Sequence, residues 1–173
     1  MVRFNPRELL FVPNLLTLFR LFFLPLPVIC IAYGKDNFAL ALLGVAIATD
    51  VLDGYFARKL NQISELGKIL DPLADKIGVA ALVVALAVYR DFPWWAAAII
   101  IVRDLLLLIG SLATLSKTTE IPTSNLFGKF TALTWVVLVI SYLTPFVILQ
   151  KVLLWLAVAM VPISFLLYLK KRR

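Results

Sequence analysis

Long apolar stretches alternate along the chain with short polar ones. A helix needs about 20 apolar residues to cross the ~30 Å hydrocarbon core of a bilayer, because unpaired backbone groups are costly in lipid. Six stretches reach this length, and turn-forming residues separate them. The predicted transmembrane helices cover residues 13–33, 38–60, 66–89, 94–116, 124–146 and 150–169.

The residues before the first span predict a different element. Residues 5–12 are too short to cross a bilayer and mix Arg7 and Glu8 with apolar side chains, which is typical of a short N-terminal helix lying along the membrane interface. The first apolar run lacks a small-residue cleavage site after it, so we expect it to be retained. No internal repeat or long linker is visible, and residues 1–173 are therefore expected to form one all-α integral membrane domain.

Composition agrees with lipid as the solvent. Hydrophobic residues make up 62% of the chain and charged residues 16%, whereas an ordinary soluble domain has about 25% charged residues. The formal net charge of +7 would suit nucleic acid or an anionic membrane surface, and the hydropathy favours the membrane and no nucleic acid. Histidine is absent and the single cysteine, Cys30, lies in an apolar run, which excludes an internal disulfide and histidine-based nucleophile arrangements.

Basic residues concentrate on one side of the predicted helices. Six spans place both termini on that side, together with the loops near Arg58, Lys68 and Lys117. Cytoplasmic loops collect lysine and arginine, so we expect a multi-pass protein of the cytoplasmic (inner) membrane with both termini in the cytoplasm. The opposite side has only Lys35, Arg90 and Lys151.

Four aspartates interrupt the second and third predicted spans, where an ionisable side chain costs a few kcal/mol. Asp50 and Asp53 are three residues apart and Asp71 and Asp75 are four apart, so each pair shares a helix face. A short connection makes these spans antiparallel neighbours, so the pairs can converge. Because the carboxylates repel one another and oxygen ligands suit hard cations, the pattern predicts a divalent metal site, with Mg²⁺ favoured over Mn²⁺.

Residues around these aspartates predict a phosphate ligand. Gly54 and Ala57 are small and allow close approach to the helix backbone, while the planar guanidinium of Arg58 can bind two phosphate oxygens. Gly67 opens the third span opposite them. Other interpretations remain open: Gly54 could serve helix packing, Arg58 could be a membrane anchor, and the four acids could line a cation or proton pathway.

Residues 50–75 read D(x2)DG(x2)AR(x8)G(x3)D(x3)D. This pattern resembles the signature of the CDP-alcohol phosphotransferase family at all eight fixed positions. Residues 13–20, residues 70–76, Arg103 and Gly128 with Lys129 are similar to the branch of the family that makes phosphatidylglycerophosphate. Asp104 departs from that branch, which more often has glutamate there.

The resemblance implies a homodimer of six-span chains with an active site open to the cytoplasm. By position, one or two divalent ions would bind to Asp50, Asp53 and Asp71, with Asp75 nearby as the general base. The cytidine diphosphate group would be held by three residues of the second span, with room left for it by a glycine of the third. These residues are Gly54, Ala57, Arg58 and Gly67.

The implied reaction transfers the phosphatidyl group of CDP-diacylglycerol to glycerol 3-phosphate, with release of CMP, by metal-assisted in-line displacement. The acceptor phosphate needs cationic partners, for which Arg103 and Lys129 are candidates and Lys117 a weaker one. Arg103 could instead form a structural ion pair with an aspartate such as Asp104. Inositol phosphate, phosphatidylglycerol and serine are alternative acceptors, and a cation transporter is the alternative from another class.

Overall fold

The computed structural model describes residues 10–59, 66–115 and 126–171, and the regular elements in these ranges are α-helices. The predicted all-α class is therefore confirmed. The interfacial helix predicted over residues 5–12 lies almost entirely outside the described residues. The helices are α1 (Val12–Phe23), α2 (Pro25–Ala32), α3 (Asp36–Lys59), α4 (Gly67–Tyr89), α5 (Trp94–Leu115), α6 (Leu126–Ser141) and α7 (Val147–Lys171).

The first predicted span is divided into two consecutive helices. Leu24, between α1 and α2, keeps a helical backbone conformation, with φ −53° and ψ −36°. Pro25 has no backbone N–H, so the hydrogen bond that a continuous helix would form there is missing and the helix is interrupted at Leu24. The combined segment Asn14–Ala32, 19 residues long, is long and apolar enough to cross a membrane.

The remaining predicted spans correspond to helices α3 to α7, and most boundaries agree within a few residues. The exception is the fifth span, predicted over residues 124–146, because α6 ends at Ser141. The hydroxyl of Thr144 donates to the Ser141 carbonyl at 2.7 Å, and Gln150 Nε2 donates to that carbonyl at 3.2 Å. These side chains satisfy the end of the helix and stabilise the turn, which begins a few residues earlier than the sequence predicted.

The count of six membrane crossings stays a prediction. Within the described part of the chain, Asn14–Ala32 is the one segment that meets the criteria of length and composition for a crossing. Shorter apolar helical stretches cover Phe130–Ser141 and Val147–Ile163.

Helix α4 is central to the bundle, since it contacts α1, α2, α5 and α6. The buried apolar core surrounds the C-terminal half of α4, where Val83 and Leu86 are inaccessible to solvent. Many large apolar side chains on the outside are exposed, such as Phe22 at 80% and Ile148 at 81%. Exposed apolar surface of this extent is expected where lipid and not water covers the protein.

An ion pair joins the start of α3 to the connection after α4, at the end of the bundle next to this core. Arg90, directly after α4, donates from Nη2 to Asp36 Oδ1 at 2.6 Å and from Nε to both carboxylate oxygens. Asp36 is the first residue of α3, where a negative charge also stabilises the helix dipole. The pair therefore holds the start of α3 against the end of α4.

Replacement of Phe92 by alanine is expected to destabilise this end of the fold. Phe92 is 1% exposed in the connection between α4 and α5, and its ring meets that of Tyr142 edge-on at 4.8 Å. Loss of a buried phenylalanine side chain costs about 3–5 kcal/mol. Thermal unfolding in detergent should give a much lower melting temperature for Phe92→Ala than for Phe38→Ala, because Phe38 is 66% exposed. Equal melting temperatures would contradict this packing role.

Candidate active site

Polar side chains of α1, α3 and α4 meet at Arg20, in the last turn of α1. Its Nη1 donates a hydrogen bond to Asp75 Oδ1 on α4 at 2.9 Å and a second one to Asp50 Oδ1 on α3. The arginine side chain is 16% exposed, whereas the two carboxylates are 52% and 48% exposed. Two of the predicted site aspartates therefore share one positive charge, at a place that remains accessible to solvent.

Helix α1 presents a polar face to these acids. Asn14, Thr17 and Arg20 follow one another at a spacing of three residues, which places them on one side of the helix. Asn14 and Thr17 are buried, and Thr17 Oγ1 donates to Asp71 Oδ1 at 2.6 Å. Thr17 and Arg20 were not predicted as site residues, although both lie in residues 13–20, which resemble the family. A polar stripe at helical spacing inside an apolar span is the signal that could have identified them.

The four aspartates predicted to share a metal ion differ in their surroundings. Asp50 and Asp75 are brought together at Arg20, and Asp71 lies one helical turn before Asp75 with its hydrogen bond to Thr17. Among the side chains that the structure describes, no three acid, histidine or cysteine residues form a cluster that could hold an ion. The side chain of Asp53 is not among them, so the shared metal site stays a prediction.

The described carboxylates nevertheless fit a hard cation in their chemistry. Asp50 and Asp75 each direct one oxygen from a different helix to the same positively charged nitrogen. Carboxylate oxygens are preferred ligands of Mg²⁺, which usually keeps several waters and takes its other ligands from phosphates. One or two carboxylates in this arrangement are sufficient for such an ion.

The residues predicted to bind cytidine diphosphate lie at the end of α3 and the start of α4. Gly54, Ala57 and Arg58 are in the helical backbone of α3, which continues to Lys59, and their side chains lie outside the description. Gly67 is the first residue of α4, which confirms the predicted start of this helix. It is also buried. The contacts of these residues with a ligand stay predictions.

A second polar cluster lies between α4 and α5. Asp104 is 6% exposed and accepts a hydrogen bond from Arg103 Nη1 at 2.7 Å through Oδ1, while its Oδ2 lies 3.0 Å from Lys76 Nζ. The ion pair with Asp104, which the sequence left open as an alternative role for Arg103, is therefore present. Lys76 and Asp104 also line a cavity of about 120 Å³ between the two helices.

This cluster contains two cations and one anion. Arg103 Nε is buried and has no hydrogen-bond partner among the described residues. Lys129 lies in the first turn of α6 with its side chain outside the description, and Lys117 is outside the described residues. Of the three residues predicted to bind the acceptor phosphate, Arg103 is therefore the one whose side-chain contacts the structure describes. Its contact with an acceptor stays a prediction.

Comparison with known proteins shows which family the chain belongs to. The sequence profile described as CDP-alcohol phosphatidyltransferase matches residues 10–163 of the chain. The Bacillus subtilis protein named CDP-diacylglycerol--glycerol-3-phosphate 3-phosphatidyltransferase is 35% identical over 132 residues, 68% of this chain and 68% of that protein. The Aquifex aeolicus protein of the same name is 38% identical over 125 residues, 70% of this chain and 69% of its own length.

A human protein named cardiolipin synthase (CMP-forming) is 36% identical over 120 residues, which cover 69% of this chain and 39% of that protein. The chain belongs to the CDP-alcohol phosphatidyltransferase family, as its sequence signature indicated. It is accordingly a membrane protein. The relatives carry the names of two different enzymes, so family membership leaves the acceptor open.

Asp104→Asn is expected to lower the stability of the protein substantially. The change leaves Arg103 and Lys76 together without their shared anion, and removal of one partner from a buried ion pair costs about 3–5 kcal/mol. Asp91→Asn is the matched control, because Asp91 is exposed and asparagine readily adopts its φ of 53°. Melting temperatures in detergent should fall far more for Asp104→Asn, and an equal change in both variants would argue against the buried cluster.

Proposed function

We propose that this protein transfers the phosphatidyl group of CDP-diacylglycerol to glycerol 3-phosphate, releasing CMP and forming phosphatidylglycerophosphate. The structural observation that carries the proposal is the convergence of Asp50 and Asp75, from α3 and α4, on a single positive charge. Both residues occupy fixed acidic positions of the signature, and two relatives named for this reaction are 35% and 38% identical to the chain.

In this proposal, Asp50, Asp53, Asp71 and Asp75 would hold one or two Mg²⁺ or Mn²⁺ ions, and Asp75 would also serve as the general base. When bound, such ions polarise the diphosphate and stabilise the departing CMP. Asp75 accepts the proton of the acceptor hydroxyl as the hydroxyl oxygen forms a bond to the β-phosphorus and the bond from that phosphorus to CMP breaks. The chain has no histidine to take this proton.

The substrate diphosphate is assigned to the α3 and α4 residues of the signature. Small residues there permit a close approach to the helix, and a planar guanidinium binds two phosphate oxygens. These residues are Gly54, Ala57, Arg58 and Gly67.

The acceptor phosphate is assigned to Arg103 and Lys129, with Lys117 as a weaker partner. The excess positive charge between α4 and α5, together with the buried Nε of Arg103, supports an anion at that place. The phosphate of a phosphorylated acceptor would pair with this positive charge, whereas serine has no phosphate to place there. Phosphatidylglycerol is the second candidate acceptor, because the human relative is named as a cardiolipin synthase.

We further propose a homodimer in the cytoplasmic membrane with its termini and active site on the cytoplasmic side. Asp50 lies in the C-terminal half of α3 and Asp75 in the N-terminal half of α4, so the acids at Arg20 share one half of the bundle. Basic residues of the sequence concentrate in that same half, as they do in cytoplasmic loops.

A panel of acceptors tests the reaction. Purified protein with CDP-diacylglycerol and Mg²⁺ is given glycerol 3-phosphate, phosphatidylglycerol, inositol phosphate or serine, and CMP and lipid products are measured by mass spectrometry. Glycerol 3-phosphate should give CMP and phosphatidylglycerophosphate, and EDTA should stop the reaction until Mg²⁺ is restored. Product with another acceptor would reassign the acceptor, and no CMP with any of the four would refute the reaction.

Asp75→Asn tests the general base. The amide cannot accept the proton at the carboxylate oxygen, so CMP release should fall about 10²- to 10⁴-fold. Retention of the melting temperature and of CMP binding, measured by calorimetry, would separate this loss from misfolding. Asp91→Asn, at an exposed position in the connection between α4 and α5, should keep wild-type activity. Full activity of the Asp75→Asn variant would remove Asp75 from this role.

A further inference from the structure

Arg20 takes the same carboxylate oxygens that the proposed function offers to a metal ion. A single nitrogen, Nη1, contacts Oδ1 of Asp50 and Oδ1 of Asp75. The guanidinium cannot release its proton, so it remains a cation under any condition in which the protein is folded. A second cation bound to these oxygens would be repelled by it at short range, because Arg20 lies within hydrogen-bonding distance of the same two carboxylates.

We propose that Arg20 competes with the divalent ion for Asp50 and Asp75, so that ion binding displaces the guanidinium from the two carboxylates. Arg20 is a positioning residue in this role: it holds the acids of α3 and α4 together and sets how tightly the site binds a cation. The inference rests on the proposed function, because it takes these acids as the metal-binding ones.

The packing of α1 allows Arg20 to move without loss of the helix contacts. Helix α1 contacts both α3 and α4. Thr17 joins it to Asp71 of α4, one turn away from Arg20, and Asn14 is buried on the same face. The arginine is thus one of several links between these helices.

A purely structural Arg20 makes the opposite prediction. If the guanidinium served only to hold Asp50 and Asp75 together, its removal would leave two carboxylates that repel each other and move apart. The ion would then bind more weakly. Competition predicts tighter binding, so the direction of the change distinguishes the two roles.

The test is Mn²⁺ affinity, measured by the electron paramagnetic resonance signal of free Mn²⁺ with the full chain in detergent and no nucleotide. Arg20→Gln should bind Mn²⁺ about tenfold more tightly than the wild type, a typical size for coupling between two ligands. Arg20→Lys keeps the charge and should stay close to the wild type. Arg90→Gln, the same change at an arginine paired with Asp36 at the other end of the bundle, should also leave the affinity unchanged.

If the wild type binds Mn²⁺ and Arg20→Gln binds it equally or more weakly, the competition is wrong and the proposed function is unaffected. Absence of Mn²⁺ binding in every variant would overturn the metal assignment of the proposed function and this inference with it. The panel of acceptors tests the reaction separately.

A second measurement needs no variant and therefore does not depend on the folding of Arg20→Gln. Phenylglyoxal modifies accessible guanidinium groups, and mass spectrometry identifies the modified peptides. Mg²⁺ should increase the rate of modification at Arg20, since the ion releases its side chain, and should leave the rate at Arg90 unchanged. A rate at Arg20 that does not respond to Mg²⁺ would contradict displacement.

Discussion

Pairing of charges between neighbouring helices is the constraint on which this structure depends. Asp75 and Lys76 are neighbours on the central helix α4, and a helix turns by about 100° per residue, so they point to different sides. Asp75 reaches Arg20 of α1, and Lys76 reaches Asp104 of α5. Because the largely buried Arg20 and Asp104 would be costly without a partner, these contacts fix how α4 is rotated between its neighbours.

The bundle separates a rigid half from a polar half. Around the end of α4, large apolar side chains such as Leu86 and Phe92 are fully enclosed, and an ion pair between Asp36 and Arg90 joins the adjacent connections. At the other end the helices meet through carboxylates that are about half exposed. Dense apolar packing resists rearrangement, whereas ion pairs open to solvent can exchange partners with a ligand. This division suits a reaction that needs positioning and charge neutralisation from the protein.

Residues at the two polar clusters divide the chemistry of the proposed reaction between them. The cluster of α1, α3 and α4 has an excess of carboxylates, which suits cations and proton transfer, while the cluster of α4 and α5 has an excess of positive charge, which suits an anion. Asp104 reduces the net positive charge of this cluster, because it pairs with both Arg103 and Lys76. Adjacent residues of α4 contribute to both clusters, so a shift of this helix would affect both together.

The sequence by itself determined the helices, the pairing of acids on helix faces and the family, because hydropathy, turn residues and spacing are local properties. The start of α4 at Gly67 was predictable in this way. The interruption at Leu24 and the end of α6 at Ser141 were not predicted, since proline geometry and side-chain hydrogen bonds have little effect on hydropathy. Only the tertiary structure decided that Arg20 joins the acids and that Arg103 pairs with Asp104. Helical spacing fixes which residues share a face, but the neighbour that this face meets depends on how every helix packs.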